Sequence, residues 1–461
     1  MAGFAVLLSV LPCPSFHMPT TIDSRIIREA EQTHAAEIAS DTAATFLTPV
    51  DAVAHVPCVT THVGARYAGP DAEMLGDGAA DVYCSTQPIL TPAECSAFRL
   101  EAQAAMKLGL SSDFTYTDVA SLGEVHVADL PIARGMLRRK LSTVLPLMAE
   151  RYGLAASSLR VCDAVVVRYD ASQKATRQPF HRDNALVSFN IPLSAGFEYA
   201  GGGTCFEGTG EVLRMPMGRL LYHASGMRHA GHAITKGVRW VLVVFLLSTD
   251  VPQLYRRCAS LAAAAQADAE DAADDGDDDD AAEARERAIA ALSTALVLAP
   301  TDYQLHHDLG SFYLAEGDTS SARQAFMKAV SLYPLCPRPR GALASLLSDA
   351  GRHRAALRHY EAALAALTRN DGASSNRLIE LAAAVGAAKC VLALDEQHRD
   401  SEGDAAATVA QRMEAAARWL RGALEASDIE DDDDDDEDAE EAGQLLRRLE
   451  EARASTPRRE R

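Results

Sequence analysis

The sequence predicts a multidomain protein in which a β-rich domain of the barrel or jelly-roll type, with flanking helices, precedes an all-α repeat domain. Short strand-like segments lie between 161 and 247, separated by glycine-rich turns, and this pattern is typical of closed or sandwiched antiparallel sheets. A helical pattern then recurs every 34 residues. The length of 461 residues also exceeds that of one compact domain. We therefore predict an irregular region over 1–84, the β-rich domain over 85–250, an acidic linker over 251–283, helical repeats over 284–425 and an acidic disordered tail over 426–461.

The N-terminal region gives few signals. Residues 1–84 show no sustained hydrophobic period, and we expect a single helix near Ile26–Ser40. The apolar stretch Phe4–Leu11 resembles a secretory signal only loosely, because no Lys or Arg precedes it. The nine cysteines include no CxxC pair, so neither a zinc site nor a disulfide scaffold is indicated. A cytoplasmic location is favoured, with the secretory pathway as the alternative.

The β-rich domain should begin with two helices. Thr91 is a candidate N-cap, Pro92 fits the first helical position and Glu94 the third, which together predict a helix running to Leu108. A second helix is expected over 131–152, where apolar residues recur at helical spacing. The predicted strands are 161–169, 185–193, 219–223 and 239–247.

The net charge of −21 is local. Residues 268–283 contain ten acids and residues 428–441 contain twelve, with no base in either run. Without these 22 acids, 43 acids face 44 bases, so the remainder of the chain is nearly neutral. No basic stripe is present, which argues against a nucleic-acid partner. The longest run of large apolar residues, Trp240–Leu247, is eight residues long, too short for a membrane span.

The helical repeats resemble a tetratricopeptide array. Such arrays form a curved surface that binds peptides or proteins. The alternative is an Ala-rich helical bundle with accidental periodicity. The first full repeat supplies Leu309, Gly310, Tyr313, Gly317, Ala322, Phe326, Ala329 and Pro334; the next supplies Leu343, Leu347, Gly351, Ala356, Tyr360 and Ala363.

One constellation in the β-rich domain carries chemistry. In an extended strand, residues two apart project to the same side, so His181 and Asp183 can meet one ion. His229 lies downstream and Arg239 follows ten residues later. Two His and one carboxylate on one face of a metal leave its other face open, an arrangement that suits non-haem Fe(II) oxygenases.

Residues 85–250 resemble the Fe(II)- and 2-oxoglutarate-dependent dioxygenase superfamily, most closely its prolyl 4-hydroxylase-like branch. The resemblance rests on the H-x-D motif, the 48 residues from His181 to His229, the ten from there to Arg239, and the segment Gly202–Phe206. It implies a double-stranded β-helix (jelly-roll) catalytic domain. It also implies Fe(II), the cosubstrates 2-oxoglutarate and O₂, and ascorbate as a reductant.

The resemblance further implies roles for individual residues. His181, Asp183 and His229 would bind iron, and Arg239 would bind the distal carboxylate of 2-oxoglutarate, whose shape a guanidinium matches. Tyr169 and Thr204 would help to hold the cosubstrate. Ser188 and Asn190 are weaker candidates for lining the same pocket.

Several alternatives remain open from the residues alone. His223 or His232 could replace His229 as the third ligand, although the register against Gly237 and Arg239 favours His229. Tyr169 could equally be a satisfied core tyrosine. The cations Arg219, Arg228 and Lys236 fit solvated strand ends better than a cosubstrate site, His306, His307, His353 and His359 fit repeat surfaces, and Cys162 and Cys205 fit small buried positions.

The resemblance implies hydroxylation of a C–H bond, with a prolyl or other side chain of a peptide or protein as the first choice of substrate. A small-molecule hydroxylase that uses its repeats for assembly is one alternative. The other is a non-catalytic repeat scaffold whose β-rich domain is only structural.

Overall fold

The structure is a computed structural model that describes residues 22–40, 42–43, 46, 56–63, 69–113, 123–173, 176–207, 209, 211–274, 277–368, 377–398, 404–427 and 437–455. The stretch Phe4–Leu11 and residues 428–436 lie outside these ranges. The chain forms two compact units. One comprises Met1–Ala30 and Leu254–Pro334, and the other comprises Glu31–Gln253 and Leu335–Arg461.

The β-rich part of the larger unit consists of two antiparallel sheets. Its strands are β1 (Cys58–His62), β2 (Asp81–Pro88), β3 (Ser112–Asp113), β4 (Gly123–His126), β5 (Leu159–Asp170), β6 (Val187–Pro192), β7 (Tyr199–Gly201), β8 (Thr204–Phe206), β9 (Val212–Leu213), β10 (Arg219–Ala224), β11 (His229–Gly231) and β12 (Ile234–Ser248). The main sheet has the order β1-β2-β10-β6-β12-β5-β4-β3, with β7 paired to β12. The second sheet has the order β11-β8-β9. The predicted fold class of antiparallel strands is confirmed.

Helices cover the outer face of the main sheet. These are α3 (Pro92–Lys107) and α4 (Pro131–Tyr152). Two helices precede them in the chain, α1 (Ser24–Ile38) and α2 (Ala72–Leu75). The predicted capping box is present, because the Glu94 amide donates to Thr91 Oγ1 at 3.3 Å and the Thr91 amide donates to Glu94 Oε2 at 2.8 Å. Both helices therefore begin where the sequence predicts.

The strands β5 and β12 separate the helix-covered face from the site. Val166 and Leu242 are fully buried in the cluster that includes the helical residues Phe98 and Leu141. Their neighbours in sequence point to the opposite face and line a cavity. This alternation explains why both strands read as continuous apolar runs.

The structure differs from the irregular region expected over 1–84. The helix near Ile26–Ser40 is confirmed as α1, but β1 and β2 also fall here and join the main sheet through β10. Many of their residues are polar: β1, CVTTH, is an edge strand, and β2, DVYCSTQP, lies between β1 and β10. A strand of this kind is stabilised by a distant partner, which local periodicity cannot show.

The smaller unit contains four helices after residue 250: α5 (Leu254–Asp274), α6 (Asp278–Leu298), α7 (Tyr303–Ala315) and α8 (Thr319–Leu332). Each repeat helix has a residue that starts it, since Asp302 caps α7 and Asp318 caps α8. Gly310 of α7 faces Phe326 of α8, and a Cβ on Gly310 would lie 2.6 Å from that ring. The predicted helix pair at 303–334 is therefore closely packed.

The remaining helices belong to the larger unit: α9 (Pro337–Asp349), α10 (His353–Thr368), α11 (Arg377–His398), α12 (Asp404–Ser427) and α13 (Glu437–Ser455). Among them, α9 packs on α10, and α12 packs on α11 and α13. Among the residues that the structure describes, no helix has the length and apolar character needed to cross a membrane.

The structure also differs from the acidic linker expected over 251–283. Helix α5 occupies most of it, because Tyr255, Cys258 and Ala262 form an apolar face that packs with Ile26 and Ala30 of α1. The acids lie on the opposite face or at the start of α6, where the helix dipole favours negative charge. The charge run marks the solvent side of a helix pair.

The tail expected to be disordered over 426–461 also contains a helix. In α13, Ala442, Leu445 and Leu449 are buried at a spacing of three to four residues. The composition of this segment suggested disorder, but its apolar residues lie on one helical face and pack against α11 and α12.

Candidate metal centre

Three side chains converge between the two sheets. His181, Asp183 and His229 are buried, and the ligand atoms that they offer all lie within 4.8 Å of one another. The His181 Nε2 atom lies 3.4 Å from Asp183 Oδ1, and the His229 Nε2 atom lies 3.6 Å from Asp183 Oδ2. His181 and His229 are brought together by backbone pairing, in which each amide donates to the other residue's carbonyl at 2.9 and 3.0 Å.

Backbone carbonyls orient both imidazoles. His181 Nδ1 lies 2.8 Å from the carbonyl oxygen of Pro179, and His229 Nδ1 lies 3.1 Å from that of Met227. Each Nδ1 must carry the proton to donate these bonds, so each Nε2 presents a lone pair toward Asp183. A second hydrogen bond of this kind is what fixes the tautomer of metal-binding histidines.

The charges of Asp183 and His229 suit a divalent metal. Burial lowers the pKa of His229 to about 3 and so keeps this imidazole neutral at neutral pH. Burial alone would raise the pKa of Asp183, but His229, His181 and His223 outweigh it and keep that pKa well below its ordinary value. Asp183 is therefore a carboxylate and His229 an uncharged imidazole, which are the protonation states that bind a metal.

The alternative third ligands lie outside this group. His223 is fully buried and its ring centre is 4.4 Å from that of His229, but its Nδ1 is bonded to the Ala224 carbonyl oxygen at 2.9 Å and it does not share the common ligand position. His232 is half-buried, with Nδ1 3.2 Å from the Ala233 carbonyl oxygen. The geometry selects His229 among the three.

The three ligand candidates line a cavity, and Arg239 lies in its wall. Only 3% of Arg239 is exposed, and its Nε and Nη1 atoms have no hydrogen-bond partner in the described part of the chain. Its guanidinium carbon lies 4.9 Å from the ring centre of Tyr169, which pairs with it across β5 and β12. A buried, permanently charged fork thus lines the same cavity as the three ligand candidates.

Tyr169 and Thr204 both line this cavity. The Tyr169 hydroxyl donates to Gln178 Oε1 at 2.7 Å, and burial raises the pKa of Tyr169, so the group stays a donor. Sequence reasoning missed Gln178, which lies outside any strand in the loop before His181. The one sequence signal for a place in the site was its position three residues before His181, and this signal is weak.

Of the two weaker candidates for lining the pocket, only one does so. Asn190 lines the cavity, whereas the Ser188 hydroxyl lies 2.6 Å from that of Ser225 and is absent from the cavity wall. The wall is completed by apolar residues that the sequence analysis assigned only to strands. These are Val165, Val167, Val241, Val243 and Phe245.

None of the alternative cations reaches the cavity. Arg228 pairs with Glu207 at 2.8 Å, Lys236 is exposed and Arg219 is half-buried on β10. Cys162 donates to the Phe245 carbonyl oxygen at 3.4 Å, and burial raises its pKa to about 12, so it is no activated thiolate. Cys205 is buried on β8, next to Thr204.

The histidines of the repeat helices lie away from this centre. His307, His353 and His359 are half-buried. The expectation of a surface position was wrong for His306, which is fully buried with Nε2 3.0 Å from the Pro300 carbonyl oxygen. Its imidazole is bonded to the turn that precedes α7.

Comparisons with known proteins give one family match and several distant structures. A family model described as Tetratricopeptide repeat matches residues 303–334, the first full repeat found by its spacing. A search of curated protein sequences finds no match.

Among solved structures, the chain is similar to the non-heme alpha ketoglutarate dependent epimerase SnoN from nogalamycin biosynthesis, with 16% identity and a TM-score of 0.30 over 40% of this chain and 81% of that chain. It is similar to the viral collagen prolyl hydroxylase of Paramecium Bursaria Chlorella virus-1, with 16% identity and a TM-score of 0.28 over 35% and 92%. It is also similar to a Pseudomonas putida prolyl-4-hydroxylase, with 14% identity and a TM-score of 0.30 over 38% of this chain and 94% of that chain. These likenesses are distant, so the function has to be inferred from the site itself.

Proposed function

We propose that this protein is an Fe(II)- and 2-oxoglutarate-dependent dioxygenase that hydroxylates a C–H bond of a peptide or protein substrate, with a prolyl side chain as the first choice. One observation carries the proposal. The ligand atoms of His181, Asp183 and His229 converge in a cavity whose wall also presents the buried guanidinium of Arg239.

The residues fit both the metal and the cosubstrate. Two imidazoles and one carboxylate are the donor set of non-haem Fe(II) oxygenases, which keep further coordination positions open. The Arg239 fork matches a carboxylate, which can accept two parallel hydrogen bonds from it. Iron, 2-oxoglutarate and O₂ bound here would together supply the oxidant for the C–H bond.

The protein's own contribution is binding and exclusion of water. The carbonyls of Pro179 and Met227 keep both imidazoles turned toward the metal position. Arg239, with Tyr169 beside it and Thr204 in the same cavity wall, would anchor the cosubstrate. The apolar wall gives the interior few groups to which stray water could bind.

The repeat helices support a peptide or protein as the substrate. Tetratricopeptide-like helix pairs commonly bind such partners, and residues 303–334 match that family. Ascorbate belongs to the proposal as the reductant that would return oxidised iron to the ferrous state. A small-molecule substrate is the outcome to be tested against it.

The first experiment compares the wild type with His181→Ala after anaerobic loading with Fe(II). We expect the wild type to retain about one iron and to form succinate from 2-oxoglutarate, while the variant loses both. His232→Ala is the matched control, because this histidine lies outside the ligand group. Absence of bound iron, with equal background turnover in wild type and variant, would refute the enzyme and leave the scaffold alternative.

A second experiment identifies the kind of substrate. The full chain is incubated with a mixture of unstructured peptides and, separately, with a small-metabolite mixture, and products are searched for the mass of one added oxygen. A peptide product that His181→Ala does not form supports the proposal. Products confined to the metabolite mixture would favour the small-molecule alternative.

A further inference from the structure

The cavity floor is an ordered set of cross-strand rows. Asn190 of β6 lies opposite Val243 of β12, which lies opposite Val165 of β5. Residues opposite one another in antiparallel strands project to the same face, so these three side chains stand side by side. All three line the cavity.

This row lies toward the metal end of the cavity. Arg239 and Tyr169 form a row at one end of the floor, and Val243 is four residues further along β12, about 14 Å away at the rise of a strand. The next row pairs Phe245 with Ser188, and Ser188 with His223, whose ring is 4.4 Å from His229. The row of Asn190 is therefore separated along β12 from the row of Arg239 and lies next to the row that leads to His223.

The wall at this end carries no spare charge. The charged or ionisable groups that line the cavity are the three metal-ligand candidates, Arg239 and the protonated Tyr169. Two ionisable groups flank this end of the sheet, Asp163 opposite Phe245 and His126 opposite Val165. Neither lines the cavity; they are bonded to each other at 3.0 Å, and the Asp163 carboxylate also accepts from the Ala164 amide at 2.7 Å. A charged substrate group entering here would lose its hydration without gaining a partner.

Asn190 is the exception to this apolar character. The residue is only 8% exposed and its side chain lines the cavity, where its amide has no hydrogen-bond partner among the described residues. A buried side-chain amide normally has its donors and its acceptor satisfied. An unpartnered amide that faces a cavity beside a metal centre fits a ligand that itself offers an amide.

We propose that Asn190 determines substrate specificity: its amide binds a peptide group of the substrate, while Val165, Val243 and Phe245 receive an adjacent uncharged, aliphatic side chain. This inference rests on the proposed function and narrows it. Side chains such as proline, leucine or valine fit this subsite, and lysine, arginine, aspartate and glutamate do not.

The test of side-chain class uses four synthetic peptides that are identical except for a central proline, leucine, lysine or aspartate. Binding of each fluorescently labelled peptide to the full chain is measured by anisotropy with Mn²⁺ and 2-oxoglutarate, so that no turnover is needed. We expect the proline or leucine peptide to bind at least 10-fold more tightly than both charged peptides. Tighter binding of the lysine or aspartate peptide would overturn the inference.

The role of Asn190 is tested with Asn190→Ala and with the nearly isosteric Asn190→Asp. Loss of uncharged hydrogen bonds should weaken binding of the preferred peptide about 3- to 10-fold in Asn190→Ala, with an unchanged KM for 2-oxoglutarate. Asn190→Asp should shift the preference toward the lysine peptide. Gln103→Ala, at an exposed position of α3, is the amide control and should match the wild type.

Two results would contradict the proposed role of Asn190. An increased KM for 2-oxoglutarate with unaltered peptide binding would place Asn190 at the cosubstrate, and wild-type behaviour of both variants would remove it from recognition. Thermal unfolding of each variant shows that it is folded. If the wild type bound no iron and formed no succinate, the proposed function itself would fail, and that result is separate from either of these.

Discussion

Arg239 is a permanently charged side chain with 3% exposure, and two of its nitrogen atoms lack a hydrogen-bond partner in the described structure. Burying an unpaired charge destabilises a fold, so such a residue is retained where a ligand supplies the partner. The Tyr169 ring, 4.9 Å from its guanidinium carbon, offsets part of this cost. The residue therefore has the environment of a ligand-binding cation.

We predict that Arg239→Gln raises the KM for 2-oxoglutarate about 10- to 100-fold, since hydrogen bonds to a charged group contribute about 1.5–3 kcal/mol. The measurement is succinate formation against 2-oxoglutarate concentration. Arg219→Gln removes a half-buried cation from the same sheet outside the cavity and should leave the KM unchanged. Equal KM values for wild type and Arg239→Gln would show that another group binds the cosubstrate.

Gly231 allows the cavity wall to form. A Cβ at this position would lie 2.4 Å from the Tyr169 hydroxyl and 3.1 Å from Gln178 Oε1. We predict that Gly231→Ala destabilises the protein by about 1–3 kcal/mol through overpacking, measured by urea unfolding. Adding Tyr169→Phe removes the closest atom and should recover part of the loss. Gly196→Ala, with no atom within 4 Å, is the control; equal effects of the two alanine substitutions would contradict the prediction.

At the scale of elements, the helix pair α7 and α8 shows how the repeat pattern becomes packing. Gly310 and Phe326 are the small and large residues of one contact, and both were predicted from the 34-residue spacing. The aromatic ring occupies the space in which a Cβ at 310 would stand. The small residue is therefore required by its neighbour across the pair.

We predict that Gly310→Ala lowers the free energy of unfolding by about 1–3 kcal/mol, because the new methyl group would meet the Phe326 ring at 2.6 Å. Gly341→Ala in α9 is the matched control, since no atom lies within 4 Å of its Cβ position. This control should stabilise its helix by about 0.5–1 kcal/mol. Denaturant unfolding monitored by circular dichroism measures both, and stabilisation by Gly310→Ala would refute the proposed contact.

His306 gives α7 a dependence on pH. Burial lowers the pKa of this imidazole below its ordinary value of about 6.5. Below that pH the unfolded chain binds a proton that the folded chain does not, so stability falls as the solution is acidified. We predict a smaller loss of stability between pH 7.5 and 5.5 in His306→Gln than in the wild type. His307→Gln is the control, and an equal loss in wild type and His306→Gln would contradict the argument.

At the scale of the whole molecule, the two units have separate cores. The core of the smaller unit contains Leu292, Leu296, Leu309 and Phe312, and that of the larger unit is built on the main sheet with α3 and α4. The candidate metal centre lies entirely in the larger unit. A ligand of this centre should therefore stabilise one unit directly.

We predict that Co²⁺ raises the unfolding temperature of the transition to which the β-rich domain belongs and changes the transition of the smaller unit little. Calorimetry of the full chain measures both transitions. At a metal concentration 100-fold above Kd, the stabilisation is about 2.7 kcal/mol. His181→Ala should abolish the shift. A metal-induced shift of the same size in that variant would show that Co²⁺ binds elsewhere.

The charge distribution shows where composition misleads. The acids of 268–283 suggested a solvated linker, yet α5 and α6 pass through most of this run. A helix needs only one apolar face, and Ala262, Ala265 and Ala269 provide it while the acids face solvent. Composition averages over both faces, whereas packing depends on one.

The sequence by itself determined the fold class, the capped start of α3 and the repeat at 303–334, and it indicated His181, Asp183 and Arg239 as site residues with His229 as the favoured third ligand. These features depend on periodicity and on residue types at short spacing, which the chain displays directly. Only the tertiary structure decided that His229 and not His223 shares the ligand position, that β1 and β2 join the main sheet, and that Gln178 and Asn190 face the cavity. Each of those outcomes depends on contacts between residues far apart in the chain, where the partner strand decides which side chains share a face.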